Sequence, residues 1–543
     1  MKIVKTTAFN DQQPGTSGLR KKVGVFQQPH YLQNFVQSIF NVASELRGGL
    51  MILGGDGRYY NHAAIQIILK MAAANGIRRV MVGQHGLLST PAVSCLIRKY
   101  RASGGIILSA SHNPGGPQGD FGIKFNIANG GPAPTPFTDA LYNESLNIQE
   151  YRTLEVDDIP LDKQQGYQMG NMQIDIIDSV ADYAELMQRL FDFKAIQSMF
   201  SRQQLSLCFD AMHAVTGPYA REIFINRLGA NADALINGKP SEDFGGGHPD
   251  PNLAHTPELQ KILNAATAAP EFGAASDGDG DRNMIIGQNF FVNPSDSLAI
   301  MTANATLIPG YAQGIKGVAR SLPTSRAVDK VAATLDIPCY ETPTGWKFFG
   351  NLLDDQRISL CGEESFGSGS DHIREKDGIW AVLFWLNLIA VKKQSVEQIT
   401  RAHWANYGRH YYTRHDYEAI DTEIAAELML HLRTQAPSLQ GKSFGSYSVQ
   451  LCDDFSYSDP VDHSLTEHQG IRVLFEDESR IVYRLSGTGT EGATLRVYIE
   501  RYVKDRSQHD MDSQQALAEL IDIAAQLAEI KQRCQRDQPD VIT

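Results

Sequence analysis

The chain has 543 residues, enough for three or four domains, and its 42% apolar share supplies several packed cores, which excludes a disordered chain. A formal net charge of −13 excludes a general nucleic-acid binder, which carries a basic stripe, but allows an anionic substrate held by a local cluster of Arg and Lys. Six scattered cysteines without a CxxC pair read as reduced thiols, and residues 1–7 carry no apolar signal core, so a cytoplasmic protein is expected.

Residues 1–190 alternate helical patterns with short apolar runs: Leu50-Met51-Ile52-Leu53, a helix-like segment at 63–74, then Arg79-Val80-Met81-Val82. The alternation predicts βα units and a mixed or parallel sheet. A strand, Ile106-Ile107-Leu108, leads into Ser109-Ala110-Ser111-His112-Asn113-Pro114-Gly115-Gly116. A second block, 191–294, has a strand at 205–210, a Gly217-Pro218 turn, an irregular glycine-rich loop at 245–252, and Asp277-Gly278-Asp279-Gly280-Asp281-Arg282. A third, 295–405, has a strand at 358–361 running into Gly362-Glu363-Glu364-Ser365-Phe366-Gly367. Its apolar stretch at 379–391, interrupted by Asn387, is too short to span a bilayer and is expected as a buried helix. The last block, 406–543, is α+β: period-two strands at 482–485 and 495–499 flank a glycine-rich loop, and a helix is expected over 513–533.

The first three blocks each end an apolar strand in a glycine-rich loop bearing hydroxyls or carboxylates. In open α/β sheets ligands sit beyond the carboxyl ends of strands, so these loops are expected to converge on one cleft.

The turn after Ser111 can offer backbone N–H groups to phosphate oxygens. A serine hydroxyl needs help to act as a nucleophile, which His112 and Lys124 can supply; a turn with a capping serine is the plain alternative. The three alternate aspartates, Asp277, Asp279 and Asp281, suit a hard divalent cation. An EF-hand is excluded, because loop positions six and twelve hold Arg282 and Gln288. Three protein carboxylates leave room for a phosphate oxygen, which favours Mg²⁺ over Ca²⁺; a solvated acidic turn is the alternative.

Two nucleotide motifs fail. Gly487-Thr488-Gly489-Thr490-Glu491-Gly492 matches G-x-G-x-x-G but is followed by a strand pattern, not a helix, and Gly441-Lys442-Ser443 lacks the P-loop's upstream glycine, with Ala436 there instead. Arg484, Ser486, Gly487, Thr488 and Arg496 instead read as an anchor for a phosphate dianion, against a plain glycine-rich hairpin. Glu363 and Ser365 offer hydrogen bonds to sugar hydroxyls, against a polar loop, and Lys347 in Pro343-Thr344-Gly345-Trp346-Lys347 offers a mobile cation.

Together these segments, with Gly15-Thr16-Ser17-Gly18-Leu19-Arg20, Gly119-Asp-Phe-Gly-Ile-Lys-Phe-Asn126 and Ser370-Asp-His-Ile-Arg-Glu-Lys-Asp-Gly378, resemble the α-D-phosphohexomutase family, on the side of its glucose-specific phosphoglucomutases. They span nearly the whole chain in the family's order. The resemblance implies an α/β fold of four domains around a central cleft: three similar mixed-sheet α/β units (1–190, 191–294, 295–405) and a smaller C-terminal α+β phosphate-binding domain (406–543). It implies that Ser111 carries a phosphoryl group and that Asp277, Asp279, Asp281 and a phosphoserine oxygen at Ser111 bind Mg²⁺. Arg20 and Arg282 are then electrostatic partners of the transferring group, Lys347 the acid/base candidate, and His112 and Lys124 active-site helpers. Thr16, Thr344, Glu363, Ser365, His372, Arg374 and Lys376 are expected around the sugar, and Arg484, Ser486, Gly487, Thr488 and Arg496 on the phosphate that is not transferred. Ala214, where glycine is expected, and the residues around Arg326 depart from the pattern without touching the chemistry.

The reaction so implied interconverts glucose 1-phosphate and glucose 6-phosphate through glucose 1,6-bisphosphate, with a small-molecule sugar phosphate as the only partner and no nucleic acid or membrane. Its rivals are a mutase of another sugar phosphate, a bisphosphate synthase, and an inactive scaffold, which would not need to keep Ser111 and the aspartates. The sequence leaves the oligomeric state open.

Overall fold

The computed structural model describes residues 1–486 and 492–543. They form two compact units: Met1–Pro294 with Asn304–Lys316 and Gly345–Glu397, and Ser295–Ala303 with Gly317–Thr344 and Gln398–Thr543.

In the first unit, a seven-stranded sheet runs in the order Leu19–Lys22, Asp120–Ile127, Gly104–Leu108, Leu50–Gly55, Arg79–Leu87, Met172–Ile177, Gly166–Met169. Its four inner strands, from Gly104–Leu108 to Met172–Ile177, are parallel and the remaining pairings antiparallel. Leu50–Gly55 is buried at five of six positions, as a strand covered on both faces must be. The helices Tyr31–Val42 and Asn61–Ala74 supply much of the same core. Helix Thr90–Tyr100 starts cleanly because Ser89 accepts from the Ala92 N–H and Pro91 occupies the first turn. The sheet thereby brings Asp56 and Arg58, then Ser89 and Thr90, then Ser109 to Ser111 to the carboxyl ends of three adjacent parallel strands.

A second sheet places Leu207–Asp210 parallel to both Leu235–Ile236 and Phe272–Ala275, with Met284–Gly287 antiparallel beyond. The aspartate loop leaves the carboxyl end of Phe272–Ala275. The antiparallel hairpin Leu360–Glu363 and Gly367–Ser370 follows, then helix Gly378–Lys392. That helix is apolar on every side and buried from Gly378 to Ile389, which bears out the expectation for 379–391. Among the described residues no single helix is long and apolar enough to cross a membrane.

In the second unit, strands Val318–Ser321 and Cys339–Thr342 are parallel and joined through helix Ala327–Leu335. Glu341 lies among three guanidinium groups, those of Arg320, Arg472 and Arg480. A seven-stranded antiparallel sheet, centred on Arg480–Ser486, Ala493–Val503 and Arg409–Ile420, carries helices Thr422–Leu439 and Ser513–Leu527 on one core. This is the α+β texture expected of the last block.

Three local expectations are corrected. Gly217-Pro218 is not a turn but lies in the first turn of helix Thr216–Ala220, where proline's missing N–H has no acceptor to lose. The helix expected over 513–533 breaks after Leu527 and resumes at Ile530–Cys534, with Glu529 at φ 47°. Leu527, Ala528 and Ile530 are all buried, so the apolar period runs through the break and hides it. The strand expected at 358–361 runs instead over Leu360–Glu363, which puts the Glu363 carboxylate on the strand itself.

Candidate active site

Ser111 occupies the turn after Gly104–Leu108, buried and at φ 53°, a left-handed conformation that a serine holds only when its surroundings enforce it. The enforcing groups are in reach. The Ser111 N–H donates to Ser109 Oγ (2.7 Å), whose hydroxyl donates to Asp56 Oδ2 (2.6 Å). Asp56 pairs with Arg58 Nε (2.9 Å), and the Arg58 fork donates to Ser111 O (2.7 Å) and Asp120 O (2.9 Å). Both side chains of the pair are fully buried. The phosphate nest expected from the turn is partly spent: the Asn113 and Gly116 amides donate to Ala110 O and Glu242 O.

The Ser111 hydroxyl donates to Asp277 Oδ2 at 2.9 Å. The two loops touch so closely that a Cβ on Gly278 would stand 2.3 Å from Ser111 O. Asp277, Asp279 and Asp281 are buried, with one oxygen of each within 4.8 Å of the others. Asp279 Oδ2 accepts from Lys124 Nζ (2.6 Å) and Thr90 Oγ1 (2.5 Å). Asp281 Oδ2 faces Lys376 Nζ at 3.3 Å and Lys124 Nζ at 3.9 Å. The other oxygens, Asp279 Oδ1 and Asp281 Oδ1, are buried without a hydrogen-bond partner. Orphaned buried carboxylate oxygens are costly, and here they are the donors a hard cation requires, so the triad fits a divalent metal.

The electrostatics agree. Burial, then Asp281 and Asp279, push Asp277 well above the usual carboxylate range. Burial works the same way on Asp279, but Lys124 and Thr90 outweigh it and hold that group low. Lys124 in turn is raised: burial opposes its charge and Asp279 and Asp281 restore it. His112 has Nδ1 3.4 Å from Ser111 Oγ; burial, then Arg282 and Arg20, hold it well below its ordinary value, so the ring is neutral at pH 7. Arg20 is depressed by burial and feels Asp279, Arg282 and Asp281. Arg282 NH1 donates to Asp250 Oδ1 at 2.9 Å.

The Glu363 hairpin joins this group. Arg282 bridges to Gly367, and the Asn283 N–H donates to Phe366 O. Glu363 Oε1 accepts from the Gly345 N–H (3.1 Å), and burial raises its carboxyl. Ser365 lies half-buried in the hairpin turn. Lys347 Nζ donates to Thr135 Oγ1 at 2.6 Å, and burial lowers its ammonium below the ordinary lysine value. Thr16 is exposed and packs on Gly345, close to where a Cβ there would stand. Thr344 Oγ1 is buried without a partner.

Two of the residues expected around the sugar have hydrogen-bond partners within the fold. His372 has Nδ1 on Ser370 Oγ (2.6 Å) and Nε2 on Asp377 Oδ2 (2.9 Å), and its ring stacks on Trp380. Arg374 spends its guanidinium on Asp354 Oδ1 (2.6 Å) and the carbonyls of Asp371 and Ile373. Of the three, only Lys376 reaches the acid triad. In the second unit Arg484 and Arg496 are direct partners on adjacent strands, as are Ser486 and Thr494. Arg484 Nε donates to Gln469 O at 3.2 Å, and Arg496 Nε is buried 3.7 Å from Asp416 Oδ2 without a hydrogen bond. Gly487 and Thr488 lie outside the described residues.

Sequence reasoning missed Thr90, Asp56, Arg58 and Asp250. For Asp56-Gly57-Arg58 a signal existed, since the segment directly follows an apolar strand; Thr90 and Asp250 carry none.

Comparison with known proteins places the whole chain. Residues 11–152, 181–289 and 294–407 match alpha/beta/alpha domains I, II and III of phosphoglucomutase/phosphomannomutase, and residues 409–540 match the C-terminal domain of phosphoglucomutase-1. A phosphoglucomutase of Rhizobium radiobacter is 56% identical over the full length of both chains. The cytoplasmic phosphoglucomutase of Solanum tuberosum is 53% identical, covering 99% of each chain. The crystal structure of pp63/parafusin from Paramecium, in its open form, superposes with a TM-score of 0.93 at 48% identity, covering 100% of this chain and 99% of that one.

Proposed function

Because the chain belongs to the phosphoglucomutase/phosphomannomutase family, with four matched domains between residues 11 and 540, we propose that it interconverts α-D-glucose 1-phosphate and glucose 6-phosphate, with Ser111 as phosphoryl carrier. The observation that carries this reading is the Ser111 hydroxyl set 2.9 Å from Asp277 within a buried acid triad and beside Lys124 and Lys376. Domain divisions near residues 190, 294 and 405 belong to the same reading.

Asp277, Asp279 and Asp281, with an oxygen on Ser111, would hold Mg²⁺, which when bound would neutralise charge on the transferring phosphoryl oxygens. The remaining work falls to side chains. Asp56 and Arg58 fix the turn so that Ser111 Oγ faces the triad, which is the positioning on which phosphoryl transfer depends. Arg20, Arg282 and Lys376 supply positive charge where the phosphoryl oxygens lie. Neutral His112 hydrogen-bonds the Ser111 oxygen without adding charge. Lys347, made less basic by burial, takes the proton of the attacking sugar hydroxyl. Glu363 and Ser365 read the sugar hydroxyls, near Thr16 and Thr344. Arg484, Ser486 and Arg496, with Gly487 and Thr488, clamp the phosphate that is not transferred.

In the forward direction the Ser111 Oγ–P bond breaks as O6 of glucose 1-phosphate bonds to phosphorus, giving glucose 1,6-bisphosphate. The bisphosphate turns over, its C1 phosphoryl group returns to Ser111, and glucose 6-phosphate leaves. His372 and Arg374, which also have hydrogen-bond partners within the fold, stand with Glu363 and Ser365 on the sugar side of the same reading. A cytoplasmic location completes the reading, supported by six free cysteines.

The test is a coupled assay: glucose 1-phosphate, Mg²⁺ and a trace of glucose 1,6-bisphosphate, with glucose 6-phosphate read out. Wild type should turn over, and Ser111→Ala should lose on the order of 10⁴-fold or more in kcat. Turnover that survives in Ser111→Ala removes Ser111 from its role.

A further inference from the structure

A second group of metal-ligating side chains lies outside the acid triad. His248, Asp250 and His255 each bring one ligand atom within 4.8 Å of the others. They sit on the loop between Gly247 and helix Pro257–Leu263. This loop is built rather than loose: the Asp250 N–H donates to His248 O, the His255 N–H donates to Asn252 O, and Pro249 O accepts from the Gly278 N–H of the aspartate loop.

The donor set differs in kind from the triad. Two imidazoles and one carboxylate suit a borderline transition ion such as Zn²⁺ or Co²⁺, whereas Mg²⁺ prefers oxygen alone. His248 Nδ1 is buried and has no hydrogen-bond partner, and the His248 and His255 rings stack at 4.3 Å. Burial, then the neighbouring His255, lower the His248 ring below its ordinary value, so it is neutral and ligand-competent at pH 7. A tetrahedral site with bonds of about 2.0–2.1 Å has ligand atoms roughly 3.3 Å apart. Closing from at most 4.8 Å asks for a movement of no more than roughly 1.5 Å, which the exposed His255 ring can make. Three protein ligands leave a position for water.

Asp250 is shared. Its Oδ1 accepts from Arg282 NH1 (2.9 Å) and its Oδ2 from Asn252 Nδ2 (2.8 Å). We propose that His248, Asp250 and His255 bind one transition-metal cation of the Zn²⁺ class, and that this cation draws Asp250 away from Arg282 and so inhibits phosphoryl transfer. The binding stands by itself; the inhibition rests on the role given to Arg282 above.

The experiment is a titration of Co²⁺ into the full chain held in excess Mg²⁺, read by visible absorption and by calorimetry. Wild type should show one site with the absorption of imidazole-ligated Co²⁺. His255→Ala, a change at an exposed side chain, should weaken it at least tenfold, and His248→Gln should do the same. Co²⁺ that binds with unchanged affinity in His255→Ala but is lost in Asp279→Asn sits in the acid triad and overturns the proposal, as does the absence of any saturable site. In the coupled assay, Zn²⁺ should inhibit the Mg²⁺-loaded wild type, and the inhibition constant should rise in His255→Ala by the factor by which binding weakens. Binding without inhibition overturns the second clause alone. Failure of the glucose phosphate assay itself leaves the Co²⁺ titration as the deciding readout.

Discussion

Thr90 holds Asp279 at two points: its hydroxyl donates to Asp279 Oδ2 at 2.5 Å and its backbone N–H donates to Asp279 O at 2.9 Å. The first bond leaves Asp279 Oδ1 as the unpartnered oxygen. Partners behind a metal ligand commonly govern affinity by 10–100-fold. Thr90→Val should therefore raise the Mg²⁺ concentration for half-maximal activity about tenfold, and Thr90→Ser should restore it. An unchanged Mg²⁺ dependence in Thr90→Val would show that Asp279 is held by Lys124 alone.

Gly278 is required by proximity rather than by its backbone angles. A Cβ there meets Ser111 O at 2.3 Å, so Gly278→Ala must part the serine and aspartate loops. A displacement near 1 Å at a reacting group costs on the order of 100-fold. The variant should keep its circular dichroism spectrum and lose about that factor in kcat.

Arg58 and Asp56 form a fully buried pair under the serine turn. Arg58→Met strands a buried carboxylate and should cost about 3–5 kcal/mol in denaturant unfolding. Asp56 is already raised by burial, with Arg58 opposing, so the double variant Asp56→Asn/Arg58→Met should recover part of that loss. Equal stability of the single and double variants would separate the two residues.

Lys347 acts in the proposed scheme as a base and must be deprotonated to do so. Burial lowers its value, so kcat should rise with pH along a limb centred below the ordinary lysine value of about 10.4. Lys347→Arg cannot deprotonate in this range and should lose that limb along with roughly 10²- to 10⁴-fold in kcat, with KM changed far less. A retained limb would assign it to another group.

Glu500 is buried against Arg480, His410 and Ser325. Burial opposes its charge, but Arg480 and His410 hold it below the carboxylate range. A depressed group contributes stability that is fully present above the unfolded value, about 4.3, and is lost as pH falls through the folded value. Glu500→Gln should be about 3–5 kcal/mol less stable than wild type at pH 7. That gap should narrow as pH drops below about 4. A gap constant from pH 7 to pH 3, measured by denaturant unfolding, would rule out the charge as its source.

The chemistry-bearing motifs were legible because each is local. Alternate aspartates at 277, 279 and 281 and a serine directly after an apolar strand declare themselves within a few residues. The partners of His372 and Arg374 were not legible, because a polar side chain in a loop looks the same in the sequence whether or not the fold also holds it, as Asp377, Trp380 and Asp354 do here. Gly217-Pro218 was misread because proline signals a break in the middle of a helix and not in its first turn.

The sequence by itself determined the α/β alternation, the buried helix Gly378–Lys392, the acid triad and the serine turn, since periodicity and short-range chemistry suffice for each. Only the tertiary structure decided which distant groups complete them. Thr90 stands 189 residues before Asp279, and Arg58 stands 53 before Ser111. Arg58 and Ser111 meet because adjacent parallel strands end at one sheet edge, and Thr90 and Asp279 because the loops of two different sheets come together; hydrogen bonds reach only about 3 Å, a scale on which separation along the chain carries no information.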